Sequence, residues 1–241
     1  MIQLPVELEI TRDEIREVSV YESMRQRLAK DDATRQAGIH ASDLLDLRQA
    51  YFRWLDPKPL SERQVYFFII GKTLHNIVLD ETPGASDAGT LEELGILFSP
   101  DKREEGFPIE LKSSRAQYEP KPGKMLTEFH QYFEQLTTYM VLMNCLRGEL
   151  WVLFLNLKDA SNRTFPELRC YQVVMTEEQF HVVEKEVVAA RDALIQAKEQ
   201  RNHTSLVLCR AWKCGPEACA WWGACRPPGR YPNVTRKQWT T

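Results

Sequence analysis

The sequence predicts an α/β protein, a central mixed β-sheet flanked by helices and closed by a cysteine-rich, metal-binding C-terminal tail. Three observations lead there. Segments of helical and of strand period alternate along the chain, the pattern of a sheet with helices packed on it. The stretch from Leu94 to Arg115, LGILFSPDKREEGFPIELKSSR, holds two apolar runs around a charged, glycine-containing turn and reads as a hairpin. Four of the six cysteines, Cys209, Cys214, Cys219 and Cys225, crowd into the last segment. The chain has 241 residues, enough for one substantial core with a small appendage. We divide it into an N-terminal helical segment (1–38), a core (39–204) and the tail (205–241).

Composition narrows the classes. Hydrophobic residues make up 43% and charged residues 27%, with no apolar run near the length of a membrane span and no signal-peptide pattern after Met1. The expected location is a cytoplasm. A net charge of −3 supplies no global basic field, so a nucleic acid would need a local groove. In a reducing compartment, crowded cysteines point to metal rather than to disulfides.

Each element follows from local pattern. Glu14 to Lys30 suits a surface helix without evident chemistry. Ser42 offers an N-cap for a helix through about Trp54, with Leu44, Leu45, Leu47, Tyr51 and Phe52 as its apolar stripe and Pro57 as its stop. Ser61-x-x-Gln64 forms a capping box for a second helix to about Asp80, ended by Thr82-Pro83-Gly84. That helix carries Gly71-Lys72-Thr73-Leu74-His75; taken alone, His75 reads as a semi-buried, hydrogen-bonded residue. Gly71 costs about 1 kcal/mol relative to Ala in a helix interior, which points to close packing there. A small-residue loop, Ala85 to Thr90, leads into the hairpin.

With its turn near Glu105-Gly106, the hairpin sets Asp101 opposite Glu110, and Pro100 interrupts the first arm just before Asp101. Glu110 and Lys112 then share one face, with Leu111 turned into the core. Directly opposed Cβ atoms lie about 5 Å apart. Two carboxylates that close repel unless a cation sits between them, and hard oxygens suit magnesium or manganese. The chemistry suggested is metal-assisted work on a phosphoester; Glu-x-Lys by itself equally describes a surface pair on an ordinary hairpin.

Beyond the hairpin, the loop with Tyr118, Lys121, Pro122, Gly123 and Lys124 suits phosphate contact and base stacking, or simple solvation. Leu126 to Leu146 returns to helical period with Phe129, Phe133, Leu136, Met140 and Met143 near one face, and Gln135 and Tyr139 form an amide–phenol patch at i, i+4. Glu149–Leu157 and Leu168–Met175 read as strands joined by the turn Lys158 to Arg163. Cys170 fits a small hydrophobe in the second strand and Cys145 a helix position. Thr176-x-x-Gln179 caps a long helix to about Arg201, packed through Phe180, Val183, Val187, Leu194 and Ile195.

In order, Gly71-x-x-x-His75, Pro100-Asp101, Glu110-x-Lys112 and Gln135-x-x-x-Tyr139 resemble the motif series of the PD-(D/E)XK nucleases, in particular the RecB-like branch. Over about residues 40–226 the chain looks most like the CRISPR-associated RecB-like exonucleases and their phage and viral relatives, which carry a tail of cysteines around a 4Fe–4S cluster. The resemblance implies a restriction-endonuclease-like core and a metal-dependent DNA exonuclease acting on single-stranded ends, with endonuclease activity a further option. It implies Mg2+ or Mn2+ held by Asp101 and Glu110, with His75 and the Leu111 carbonyl as further ligands. Lys112 would position water or stabilise charge, and Gln135 and Tyr139 would orient DNA or support the metal shell. A non-catalytic nucleic-acid-binding subunit on the same fold is the alternative.

The chain departs from this pattern where Leu47 stands at the helix position that supplies a cluster cysteine in those relatives. The tail reads Cys209-x4-Cys214-x4-Cys219-x5-Cys225, so four thiolates are present without it. A 4Fe–4S cluster is the expectation and Zn2+ the alternative. Implied partners are single-stranded DNA, a second copy of the chain, and recombination or CRISPR integration proteins.

Overall fold

The structure, a computed structural model, describes residues 15, 18–19, 22–26, 36–59, 61–80, 89–159, 161–209 and 219–225, as backbone only at 62–63, 75–80 and 122. In chain order the elements are β1 (Ile39–His40), α1 (Ala41–Leu44), α2 (Leu47–Leu55), α3 (Glu62–Asp80), β2 (Leu91–Glu93), β3 (Ile96–Phe98), β4 (Lys102–Glu104) and β5 (Phe107–Ser114). A 3-10 turn (Pro122–Lys124) follows, then α4 (Met125–Glu128), α5 (His130–Leu142), β6 (Arg147–Lys158), β7 (Thr164–Val174), α6 (Glu177–Glu199) and α7 (Trp222–Cys225). Two units partition the chain: residues 1–37 with 60–72, and residues 38–59 with 73–241.

In the first unit, residues 15, 18–19 and 22–26 are helical, and Arg25 pairs with Glu22 at 2.9 Å. The start of α3 carries its capping box: Ser61 N donates to Gln64 Oε1 at 2.8 Å, and Gln64 N to Ser61 Oγ at 3.4 Å. Gly71 corrects an expectation. A Cβ built there meets no atom within 4 Å among the described residues, so no close neighbour explains the glycine. The turn at 82–84 and most of the small-residue loop lie outside the described residues.

The second unit holds two mixed sheets flanked by helices. One has the order β1-β3-β2, with β1 parallel and β2 antiparallel to β3. The other has the order β4-β5-β6-β7, with only the β5/β6 pair parallel. A parallel pair needs a crossover, and α4 and α5 supply it. Leu136 and Met140 of α5 pack on Leu150, Val152 and Phe154 of β6, and Phe180 of α6 joins them. Gly148 permits the approach, because a Cβ there would stand 3.0 Å from Leu136 and Met140 atoms. On the opposite face, Phe107, Ile109, Leu111 and Trp151 form a smaller cluster. Tyr139 and Leu142 of α5, Val187 of α6 and Ile96 and Phe98 of β3 join the smaller sheet to the helices. Leu194 and Ala197 of α6 pack with Ala50, Tyr51 and Phe52 of α2 and with Leu206 and Cys225 of the tail.

Several boundaries differ from expectation for local reasons. The helix expected from Ser42 to Trp54 is two, α1 and α2, parted at Leu45-Asp46. Its cap is His40, whose N–H is taken by Asp43 Oδ2 at 3.0 Å. The helix expected over 126–146 breaks at Phe129 (φ −107°, ψ 25°) and ends at Leu142. There Asn144 turns left-handed (φ 51°) and Cys145 N bonds back to Met140 O, so Cys145 sits beyond the helix rather than in it. Cys170 lies in β7 and is exposed. The run from Leu94 does not form the hairpin's first arm. Ile96–Phe98 belongs to the smaller sheet, and the arm is β4 alone.

Candidate active site

Glu105 (φ 46°) and Gly106 (φ 87°) are both left-handed, the two-residue turn that matches the twist of antiparallel strands. The ladder pairs Glu104 with Phe107, Arg103 with Pro108 and Lys102 with Ile109. One step further along this register Asp101 falls opposite Glu110. Here β4 has already stopped, and the side chain takes over from the backbone: Asp101 Oδ2 accepts the Leu111 N–H at 2.7 Å. A half-buried carboxylate is thereby held beside β5.

Glu110 and Lys112 point to the α5 side of the sheet, in rows with Leu150 and Val152 of β6, while Leu111 points to the other side with Trp151. Glu110 is 1% exposed and forms a close ion pair through Oε1 with Lys112 Nζ. A buried carboxylate is costly unless paired, so the pair holds both groups in place. Burial pulls the Lys112 ammonium down, but the Glu110 and Asp101 carboxylates outweigh it and hold its pKa above the ordinary lysine value. Lys112 therefore stays charged at neutral pH, paired with Glu110.

On α5, Gln135 Nε2 donates to Tyr139 OH at 2.9 Å, so the patch expected from i, i+4 spacing forms. Tyr139 is 5% exposed and its ring lies 6.1 Å from that of Phe98, centroid to centroid. Its ring is core, and only its hydroxyl joins the polar stripe. Two turns earlier stands Tyr132, a residue the sequence reading passed over. Its hydroxyl lies 3.5 Å from the Ser113 carbonyl, and its pKa is raised by burial against the opposing effect of the Lys112 charge. The signal was there: Tyr132, Gln135 and Tyr139 follow each other at i, i+3 and i+7 on one helical face. The side chain of His75 lies outside the described residues.

Asp101 and Glu110 offer carboxylate oxygens beside an amine, a hard donor set that fits Mg2+ or Mn2+. Among the described residues, no three His, Cys, Asp or Glu side chains converge to hold a metal ion. Two carboxylates leave room for water, a backbone carbonyl or a further side chain.

The tail folds against α2. Arg48 is buried and donates from Nε to Leu206 O at 2.8 Å and from Nη2 to Thr204 O at 3.3 Å, while Nη1 lies 3.8 Å from Cys225 Sγ. Trp221 Nε1 donates to Asp56 O at 2.7 Å. The Cys209 thiol is pushed up to about 11, chiefly by burial, then by the Asp46 carboxylate, with Cys225 and Cys219 contributing; Gln49 opposes the shift. Cys219 is also raised, by burial first and then against bonds from Trp221 and Gln49. Both thiols feel Cys225, yet among the described residues no three cysteines converge as a metal site. Leu47 packs in the same apolar cluster as Cys225, so a leucine fills space where the resemblance puts a sulfur ligand. Cys214 lies outside the described residues.

No protein-family model matches the chain, and no curated protein matches it. Solved structures do. One described as SSO0001 superposes with a TM-score of 0.59 at 18% identity, covering 88% of this chain and 98% of its own. An alkaline exonuclease from Laribacter hongkongensis gives a TM-score of 0.43 at 14% identity over 70% of this chain and 93% of its own. A phage-related exonuclease from Haemophilus somnus 129PT gives 0.47 at 11% identity, over 70% of this chain and 98% of its own. At such identities the likeness is one of fold, and the fold of SSO0001 is the one this chain shares.

Proposed function

We propose that the protein is a metal-dependent DNA nuclease of the PD-(D/E)XK type, working as an exonuclease on single-stranded ends. One observation carries the reading: Glu110 and Lys112 pair on one face of β5, and Asp101 is bonded to the backbone N–H of Leu111 between them in sequence. Asp101 and Glu110 would hold Mg2+ or Mn2+, with the Leu111 carbonyl and His75 as further ligands. The bound ion supplies Lewis acidity toward the phosphodiester and lowers the pKa of a water. Lys112 places a fixed positive charge where the phosphate gains negative charge, and Glu110 orients that charge. Gln135, tied to Tyr139, and Tyr132 border the same face from α5.

The four tail cysteines are proposed to hold a 4Fe–4S cluster, with Zn2+ as the alternative. Burial and neighbouring thiols raise Cys209 and Cys219, and a cation bound to them would outweigh both effects. Recombination or CRISPR integration proteins are the partners that this activity suits, and no helix among the described residues is long and apolar enough to cross a membrane.

The test is hydrolysis of end-labelled single-stranded DNA with Mg2+, Mn2+ or a chelator, for the parent protein and for Lys112→Ala. Because Lys112 neutralises a buried carboxylate, Lys112→Gln is made alongside and each variant is checked by circular dichroism. Loss of hydrolysis by at least 100-fold in a folded variant is expected. Undiminished hydrolysis sinks the assignment of the site. Binding without turnover by the parent, on single-stranded, duplex and flapped DNA, would favour a non-catalytic subunit instead.

A further inference from the structure

The segment after β5 folds back over the face that carries Glu110 and Lys112. Lys158 N donates to Gln117 O at 2.9 Å. Glu119 accepts from Tyr171 OH at 2.7 Å and from Arg169 Nε at 3.3 Å. Tyr171 and Arg169 pair across β7/β6 with Leu150 and Val152, the two β6 residues in register with Glu110 and Lys112. Residues paired in register share a face, so the loop is pinned on the active-site side, and Ala116 packs into the core beneath it. Between these anchors Tyr118 is 65% exposed, and Lys158 Nζ lies 5.7 Å from the centroid of its ring. Scattered exposed aromatics need no explanation. This one is held out from a fixed loop, with a cation over one face of its ring and the other face left for a ligand.

We propose that Tyr118 is a stacking platform for a base of a single-stranded substrate, with Lys158 meeting the phosphate beside that base. The inference rests on the nuclease reading above and adds where the strand runs. From Val152, level with Lys112, β6 continues through an irregularity between Phe154 and Leu157 to Lys158 past the end of β5, and at strand rise this places the platform at most ~20 Å from the lysine. A strand whose end lies at Asp101, Glu110 and Lys112 would cross this distance within the several nucleotides that single-strand grooves engage. Every base offers a π face, so the platform is indifferent to sequence and demands an unpaired strand. The acidic residue of the loop, Glu119, is tied back to Arg169 and Tyr171 of β7, which offsets part of its charge, Arg169 also pairing with Glu167.

The experiment measures affinity by fluorescence anisotropy, with Ca2+ replacing Mg2+ so that binding is read apart from turnover. Fluorescein-labelled single strands of increasing length and a blunt duplex are compared for the parent, Tyr118→Ala and Tyr118→Phe. Expected is an order-of-magnitude loss of affinity in Tyr118→Ala on long single strands, retention in Tyr118→Phe, and convergence of all three on strands too short to reach the ring. Unchanged affinity in Tyr118→Ala, an equal loss in Tyr118→Phe, or an equal loss on blunt duplex would each overturn the platform. A parent protein that binds single strands but hydrolyses none would overturn the nuclease reading while leaving the Tyr118 comparison readable.

Discussion

Asp101 has two tasks that can be separated. Its Oδ2 completes the hydrogen bonding of Leu111 N–H where β4 has ended, and its charge faces Lys112. Truncation removes both. Asp101→Ala leaves a backbone donor without its acceptor and is expected to cost about 1–3 kcal/mol in urea denaturation. Asp101→Asn keeps a carbonyl oxygen in reach and should stay near parental stability. Both are expected to lose hydrolysis. Equal stability of the two variants would mean that the Leu111 bond contributes nothing to the fold. Nothing in the sequence around Asp101 announces the first task, because the bond exists only through the tertiary end of a short strand. The second was legible, since the two-residue turn at Glu105-Gly106 fixes which residues face each other.

At the scale of elements, long periodic segments were legible and short ones were not. The α6 helix begins as Thr176-x-x-Gln179 predicts: Gln179 N donates to Thr176 Oγ1 at 3.2 Å and Thr176 N to Gln179 Oε1 at 2.9 Å. Thr176→Ala should destabilise by about 1 kcal/mol and lower the melting temperature by a few degrees, with secondary structure intact by circular dichroism. A change below half a degree would show that α6 is held by its packing through Val187 and Leu194 alone. The strands β6 and β7 likewise follow from their apolar runs. By contrast, β1 is two residues long and pairs with β3 across more than half a hundred positions, a contact no local pattern encodes. The break at Phe129 escaped for a related reason: the apolar stripe continues through it, so periodicity alone sees one helix where there are two.

Across the whole molecule, the order of motifs along the chain told more than any single motif. The hairpin and α5 bring Glu110, Lys112 and the bonded Gln135–Tyr139 pair to one side of the larger sheet, with Asp101 bonded to Leu111 beside them. The docking of the tail was not legible, because Arg48 reads as a surface cation until Thr204 and Leu206 are seen around it. Arg48→Met removes donors from two carbonyls and is expected to cost about 3 kcal/mol. Hydrogen exchange should speed up over residues 203–209 while β6 stays protected, and uniform exchange across both would show that tail and sheet unfold as one. The turn at Glu105-Gly106 has a last consequence, for how such a chain can vary over descent. Substitutions along β4 need only preserve a strand, but adding or deleting one residue between Asp101 and Glu110 would swing one carboxylate to the far side of the sheet. In this stretch, length constrains the site more tightly than letters.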